Sequence, residues 1–126
     1  MVPSARVGRG TALLVDDEEL VRMSTADMLI DLGFEVVEAG SAEEALALIN
    51  TGTVPDLLVT DHLMPGMTGA ELAQEARALK PVLPVLVVSG YAEVEGIAPG
   101  LPRLTKPFRS GELAASLQAL IPLEGG

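Results

Sequence analysis

Apolar and polar positions along this chain fall into short blocks of two kinds. Four apolar runs, Thr11–Val15, Leu57–Asp61, residues 84–89 and residues 101–105, read as strands, and residues 34–39 as one more. Apolar runs of four to eight residues, bounded by turn residues, are the mark of strands buried on both faces of a parallel sheet. Between them lie stretches with helical spacing. The first helix is expected over about residues 17–32, with Leu20, Val21, Met28 and Leu32 turned inward and Gly33 closing it. A second follows Gly40, with Ser41 and Glu44 as a capping box and Ala45, Leu46, Leu48 and Ile49 as its buried stripe. Thr68 and Glu71 offer another capping box for a third helix, which Lys80-Pro81 stops at about Leu79. A last helix is expected from a Ser110 cap to about Leu120.

Strands alternating with helices predict right-handed crossovers and an α/β fold: a doubly wound, five-stranded parallel sheet in the order 2-1-3-4-5. One interval departs from the rhythm. Sixteen residues separate Ser89 from Lys106, and Gly96, Pro99, Gly100 and Pro102 interrupt them. Residues 92–98 have room for two helical turns at most, so a shortened or irregular fourth helix is expected there.

Four of the five strands end on polar chemistry. Asp16-Asp17 closes the first, Asp61 the third, Ser89 the fourth and Lys106 the fifth. Ligands of such sheets bind beyond the carboxyl ends of the strands, where strand order reverses. Three carboxylates, one hydroxyl and one ammonium are therefore expected at one edge. Carboxylates crowded together raise one another's pKa unless a cation compensates. Hard oxygen ligands with room for water suit magnesium, or manganese in its place.

The order Asp-Asp, then Asp61 followed by His-Leu-Met-Pro-Gly-Met-Thr-Gly, then Ser-Gly-Tyr, then Lys-Pro-Phe resembles the receiver domain of two-component response regulators. The resemblance runs over about residues 11–120 and is most like the C-terminal receiver of hybrid sensor histidine kinases. It implies a flavodoxin-like fold, with residues 1–10 a flexible tail or linker, 11–121 the receiver domain and 122–126 a second tail. It also implies that Asp61 takes a phosphoryl group from a phosphohistidine on a sensor histidine kinase or histidine phosphotransfer domain. Asp17, Asp61 and the Leu63 backbone carbonyl would hold magnesium, with Asp16 acting through a water. Lys106, Ser89 and the His62 backbone N–H would meet the phosphoryl oxygens, and the Lys106-Pro107 peptide would be cis. Whether such a domain counts as an enzyme is left open, because its own part is phosphorylation and dephosphorylation of itself.

Some positions depart from that pattern. Leu63 and Tyr91 flank the place of the hydrolytic water, so a shielded, slowly hydrolysed acyl phosphate is expected. Arg103 stands where many receivers carry a switching Tyr or Phe, which puts the usual output surface in doubt. Dimerisation on phosphorylation is an arrangement the resemblance allows. His62, the one histidine, is expected to point its side chain to solvent over the loop, and Met64 and Met67 to pack.

Bulk properties narrow the alternatives. At 126 residues the chain makes one domain. A net charge of -10 and 2% aromatic residues argue against nucleic-acid binding by this domain. No apolar stretch approaches the ~18 residues of a membrane span, and residues 1–10 lack a signal-peptide core. A cytoplasmic location without direct membrane contact is expected. The absence of cysteine excludes thiolate ligands and nucleophiles. A free-standing single-domain regulator and a phosphorylation-independent pseudo-receiver remain as alternatives. An aspartate-nucleophile phosphatase is disfavoured because Leu63 stands where such enzymes place a second acid, and a flavin site because no Ser/Thr/Gly-rich loop follows the first strand.

Overall fold

The computed structural model describes residues 10–90 and 102–121. Along the chain run β1 (Thr11–Val15), α1 (Glu19–Asp31), β2 (Glu35–Ala39), α2 (Ala42–Asn50), β3 (Leu57–Asp61), α3 (Gly69–Leu79), β4 (Val85–Ser89), β5 (Arg103–Thr105) and α4 (Ser110–Leu120). All four strand pairings are parallel, in the order β2-β1-β3-β4-β5. The order expected from the strand–helix alternation is the one observed.

Successive side chains of a strand point to opposite faces, so the central strands feed two cores. Leu13, Val15, Leu58, Val85 and Val87 meet Ala42, Ala45, Leu72 and Ala76 under α2 and α3. Leu14, Leu57, Val59, Leu86 and Val88 meet Ala26, Leu29, Leu113 and Leu117 under α1 and α4. Each buried Leu or Val contributes about 1.5–3 kcal/mol, and this places most of the stabilisation on β1, β3 and β4. The outer strands are different. β2 exposes Glu35 and Glu38, half-buries Val36 and Val37 and buries only Ala39, and β5 runs exposed, half-buried, exposed, as edge strands do.

Several local expectations need correction. Leu20 is 80% exposed rather than turned inward. The buried face of α1 carries Thr25, Ala26 and Leu29, and Arg22, one turn before Thr25 and two before Leu29, takes the inward position that a purely apolar reading gives to its neighbours. Ser41 does cap α2 by accepting from the Glu44 N–H, but the Glu44 carboxylate accepts from the Gly40 N–H instead of closing a box on Ser41. The box on α3 is complete, with Thr68 and Glu71 each accepting from the other's N–H. Ser110 is the first residue of α4 rather than its cap; Arg109 holds the cap position and its N–H donates to Glu112. Tyr91 and the expected irregular helix over 92–98 lie outside the described residues.

Candidate functional site

Strand register assembles the site. Val15 pairs with Thr60, which sets Asp16 and Asp61 at adjacent strand ends. Asp61 pairs with Val88, and Ser89 with Thr105, so Ser89 and Lys106 follow one step further along. Asp16, Asp17 and Asp61 each offer a carboxylate oxygen within 4.8 Å of the other two. Asp16 and Asp61 are each only 5% exposed, whereas Asp17 is exposed.

One ammonium faces these acids directly. Lys106 Nζ lies 2.9 Å from Asp61 Oδ1 and 4.0 Å from a Glu18 carboxylate oxygen. The Lys106-Pro107 peptide is cis. The His62 N–H reaches Asp61 Oδ1 at 3.1 Å while also donating to the Val88 carbonyl at 2.9 Å. Asp16 Oδ1 accepts from the Glu18 N–H at 2.9 Å. The Ser89 hydroxyl is buried and has no hydrogen-bond partner among the described residues. The Leu63 side chain is exposed.

Burial pushes the Asp61 carboxyl above its ordinary pKa, and the charge of Asp16 adds to this; the Lys106 hydrogen bond and charge and the His62 N–H oppose it. Burial likewise raises Asp16, against the Glu18 N–H and the Lys106 charge. For Lys106 burial alone would lower the pKa, but the hydrogen bond and charge of Asp61, with Asp16 and Glu18, carry it above the ordinary value. Two desolvated carboxylates with a third beside them therefore exceed what one ammonium neutralises. A hard, oxygen-seeking divalent cation fits that donor set, and a thiolate- or imidazole-seeking one does not.

Two placements differ from expectation or were not anticipated. The His62 side chain is 1% exposed and belongs to the interior rather than to solvent. It follows a β3 buried at every position, and α3 folds back over the end of that strand. Gly69, the first residue of α3, makes that return. Its N–H donates to the His62 carbonyl at 2.8 Å, and a β-carbon on it would collide with the Asp61 carbonyl oxygen. Glycine is costly in a helix, so a glycine directly after a good cap is the sequence signal for such a close approach.

The chain matches the family model for the response regulator receiver domain over residues 12–118. It is 38% identical over 121 residues to the sensor kinase CckA of Brucella abortus, covering 90% of this chain and 13% of that protein. It is 34% identical over 122 residues to the phosphate regulon transcriptional regulatory protein PhoB of Pseudomonas aeruginosa, covering 91% of this chain and 53% of the relative. The chain thus spans about an eighth of the kinase and about half of the regulator. Among solved structures, the receiver domain of the hybrid histidine kinase CckA superposes with a TM-score of 0.75 at 36% identity, over 88% of this chain and 98% of that one. The response regulator TrrA of Thermotoga maritima, in complex with Mg(2+)-BeF, gives a TM-score of 0.78 at 29% identity, over 89% of this chain and 99% of that one. With the family model covering most of the chain and the fold and acidic group in place, this chain belongs to the response regulator receiver domains of two-component systems.

Proposed function

We propose that this domain accepts a phosphoryl group on Asp61, with magnesium or manganese at the acidic cluster, from a phosphohistidine of a sensor histidine kinase or histidine phosphotransfer domain. One observation carries the reading: a buried aspartate at the end of β3, 2.9 Å from Lys106 Nζ and grouped with two further carboxylates. An Asp61 carboxylate oxygen attacks phosphorus, the bond from phosphorus to the imidazole nitrogen breaks, and that nitrogen keeps the electron pair and takes up a proton. Transfer of this kind asks mainly for alignment and for neutralisation of the phosphoryl oxygens.

Each neighbour has a task in that step. Lys106 holds the Asp61 carboxylate in place and offers its charge to the incoming oxygens. The His62 N–H reaches the same carboxylate, and the Ser89 hydroxyl, without a partner among the described residues, is ready to donate once a phosphoryl oxygen stands near it. Asp17, Asp61 and the Leu63 carbonyl would hold the cation, with Asp16 acting through a water; the ion supplies charge neutralisation when bound. Leu63, exposed on the loop after β3, would shield the acyl phosphate from water, a role proposed jointly with Tyr91, which lies outside the described residues.

Similarity to CckA, in sequence and in structure, supports a place in a hybrid histidine kinase. No helix among the described residues is long and apolar enough to cross a membrane. Acetyl phosphate labelling with magnesium, read by intact mass, tests the assignment. A single phosphoryl adduct is expected on the wild type and none on Asp61→Asn. Failure of both acetyl phosphate and a phosphorylated kinase domain to label the wild type would turn the reading to a pseudo-receiver. In the same assay, the adduct should outlast that of Leu63→Asn; equal lifetimes would remove the shielding role.

A further inference from the structure

We infer that Arg22 is a positioning residue for the cation site, acting through the backbone of Asp16 and Asp17; the inference rests on the phosphoacceptor reading above. Arg22 occupies the inward face of α1, and its side chain is 17% exposed. Its guanidinium is shared between two partners on different elements. Nη1 donates to the Asp16 carbonyl at 2.7 Å, just past the end of β1, and Nε donates to Glu38 Oε1 at 2.9 Å on β2. Charge-assisted bonds of this length are among the stronger ones available to a side chain, and a planar fork fixes direction as well as distance.

The carbonyl that Arg22 holds belongs to the peptide joining Asp16 to Asp17. A peptide unit is planar, so fixing that oxygen also fixes the nitrogen and α-carbon of Asp17. Asp16 itself is tied at two more points, its N–H donating to the Ala39 carbonyl at 3.1 Å and its Oδ1 accepting from the Glu18 N–H. The Asp17 side chain has no hydrogen bond of its own among the described residues and is exposed. Its place in the acidic group is therefore set by the backbone beneath it. Arg22 is the one side chain among the described residues that grips that backbone from below, and Glu38 neutralises the charge it brings.

A purely electrostatic role predicts the opposite sign. Removing a cation near a divalent-cation site should tighten magnesium binding, whereas removing a positioning bond should weaken it. Partners that orient metal ligands typically govern affinity by about ten- to hundredfold. Calorimetric magnesium titration of Arg22→Gln should therefore show affinity weaker by about tenfold, at the low end of that range because only one carbonyl is released. Urea melts in EDTA give the stability of each variant separately. Arg22→Lys keeps the charge but, as a point donor, cannot hold both partners in the same geometry, so a smaller loss of affinity is expected; this variant decides the matter if Arg22→Gln does not fold. Glu38→Gln leaves the carbonyl bond intact and should bind magnesium within about twofold of wild type, well inside the loss expected of a released ligand partner. Unchanged or tighter binding in the arginine variants, beside a wild type that binds magnesium and labels, would overturn the positioning role alone. A wild type that neither binds magnesium nor takes a phosphoryl group would take both readings down together.

Discussion

β3 and β5 each deliver one charged side chain to the same edge of the sheet, under opposite conditions. β3 is buried at all five positions, flanked on both sides, and ends on an aspartate that is 5% exposed. β5 is three residues long, exposed at Arg103 and Thr105, and paired on one side only. Its lysine arrives half-buried on the following loop. The acid is fixed by the core, and the ammonium is brought to it by a strand that contributes little core. β5 thus separates chemistry from stability, whereas β3 combines them in one strand, and their side chains meet at 2.9 Å.

Gly69→Ala tests that difference most severely. The added β-carbon has rigid backbone to meet at Asp61, with the His62 α-carbon behind it. Overpacking of this kind costs about 1–3 kcal/mol, and here the upper end is expected together with loss of labelling, read by urea melts and intact mass. Wild-type stability in the variant would show that α3 is free to shift. Lys106→Met sharpens the contrast from the other side. Phosphoryl labelling with magnesium should slow by about a hundredfold, the usual loss on removing one preorganised donor. In magnesium, where the ion compensates Asp61 in place of the ammonium, the stability loss should fall well short of the roughly 3–5 kcal/mol of a buried pair broken without replacement. A large loss of stability would mean that β5 carries more of the fold than its burial implies.

The smallest effect is expected at Asp16, and it is a matter of pH. Burial raises the native pKa of Asp16 and Asp61 above the ordinary 3.8. An aspartate with a raised native pKa binds its proton more readily when folded, so its contribution to stability is full below 3.8 and is lost as pH rises through the native value. Lys106 is raised from an already basic 10.5 and stays charged across that window. Without divalent cations, the melting temperature should therefore fall between the acid range and neutrality. Asp16→Asn keeps an oxygen for the Glu18 N–H and removes the charge. Its melting profile in EDTA should be flatter and, at neutral pH, higher than that of wild type. Coincident profiles would show that the carboxylate carries no penalty there.

The parts of this molecule legible in sequence are those set by long-range pattern. The runs at β1, β3 and β4 are apolar at nearly every position because both faces are covered, and this alone distinguishes central strands from edges. Polar residues at successive strand ends then indicate one shared edge. Errors arise where a single residue decides the local outcome. Leu20 looked inward because it is leucine, but the inward position of α1 belongs to an arginine whose two partners come from β1 and β2. His62 looked exposed because it begins a loop, but the loop is covered by a helix that returns through Gly69. Ser110 looked like a cap by type, and the chain places its turn one residue earlier. For α1 the deciding contact reaches Glu38, sixteen residues from Arg22; for His62 and Ser110 the deciding residues, Gly69 and Glu112, lie within seven positions, but residue type alone does not show what they bond.

The order in which the chain presents these residues has a consequence for synthesis. Asp16, Asp17 and Asp61 precede Lys106, which follows the last of them by 45 positions. At about 5–20 residues per second, the ammonium emerges roughly two to nine seconds after the final carboxylate. Until then β1 can lie beside β3 only by bringing desolvated acids together without their partner, so protons or dissolved divalent cations must stand in for it. The newborn sheet has every reason to wait for its last strand.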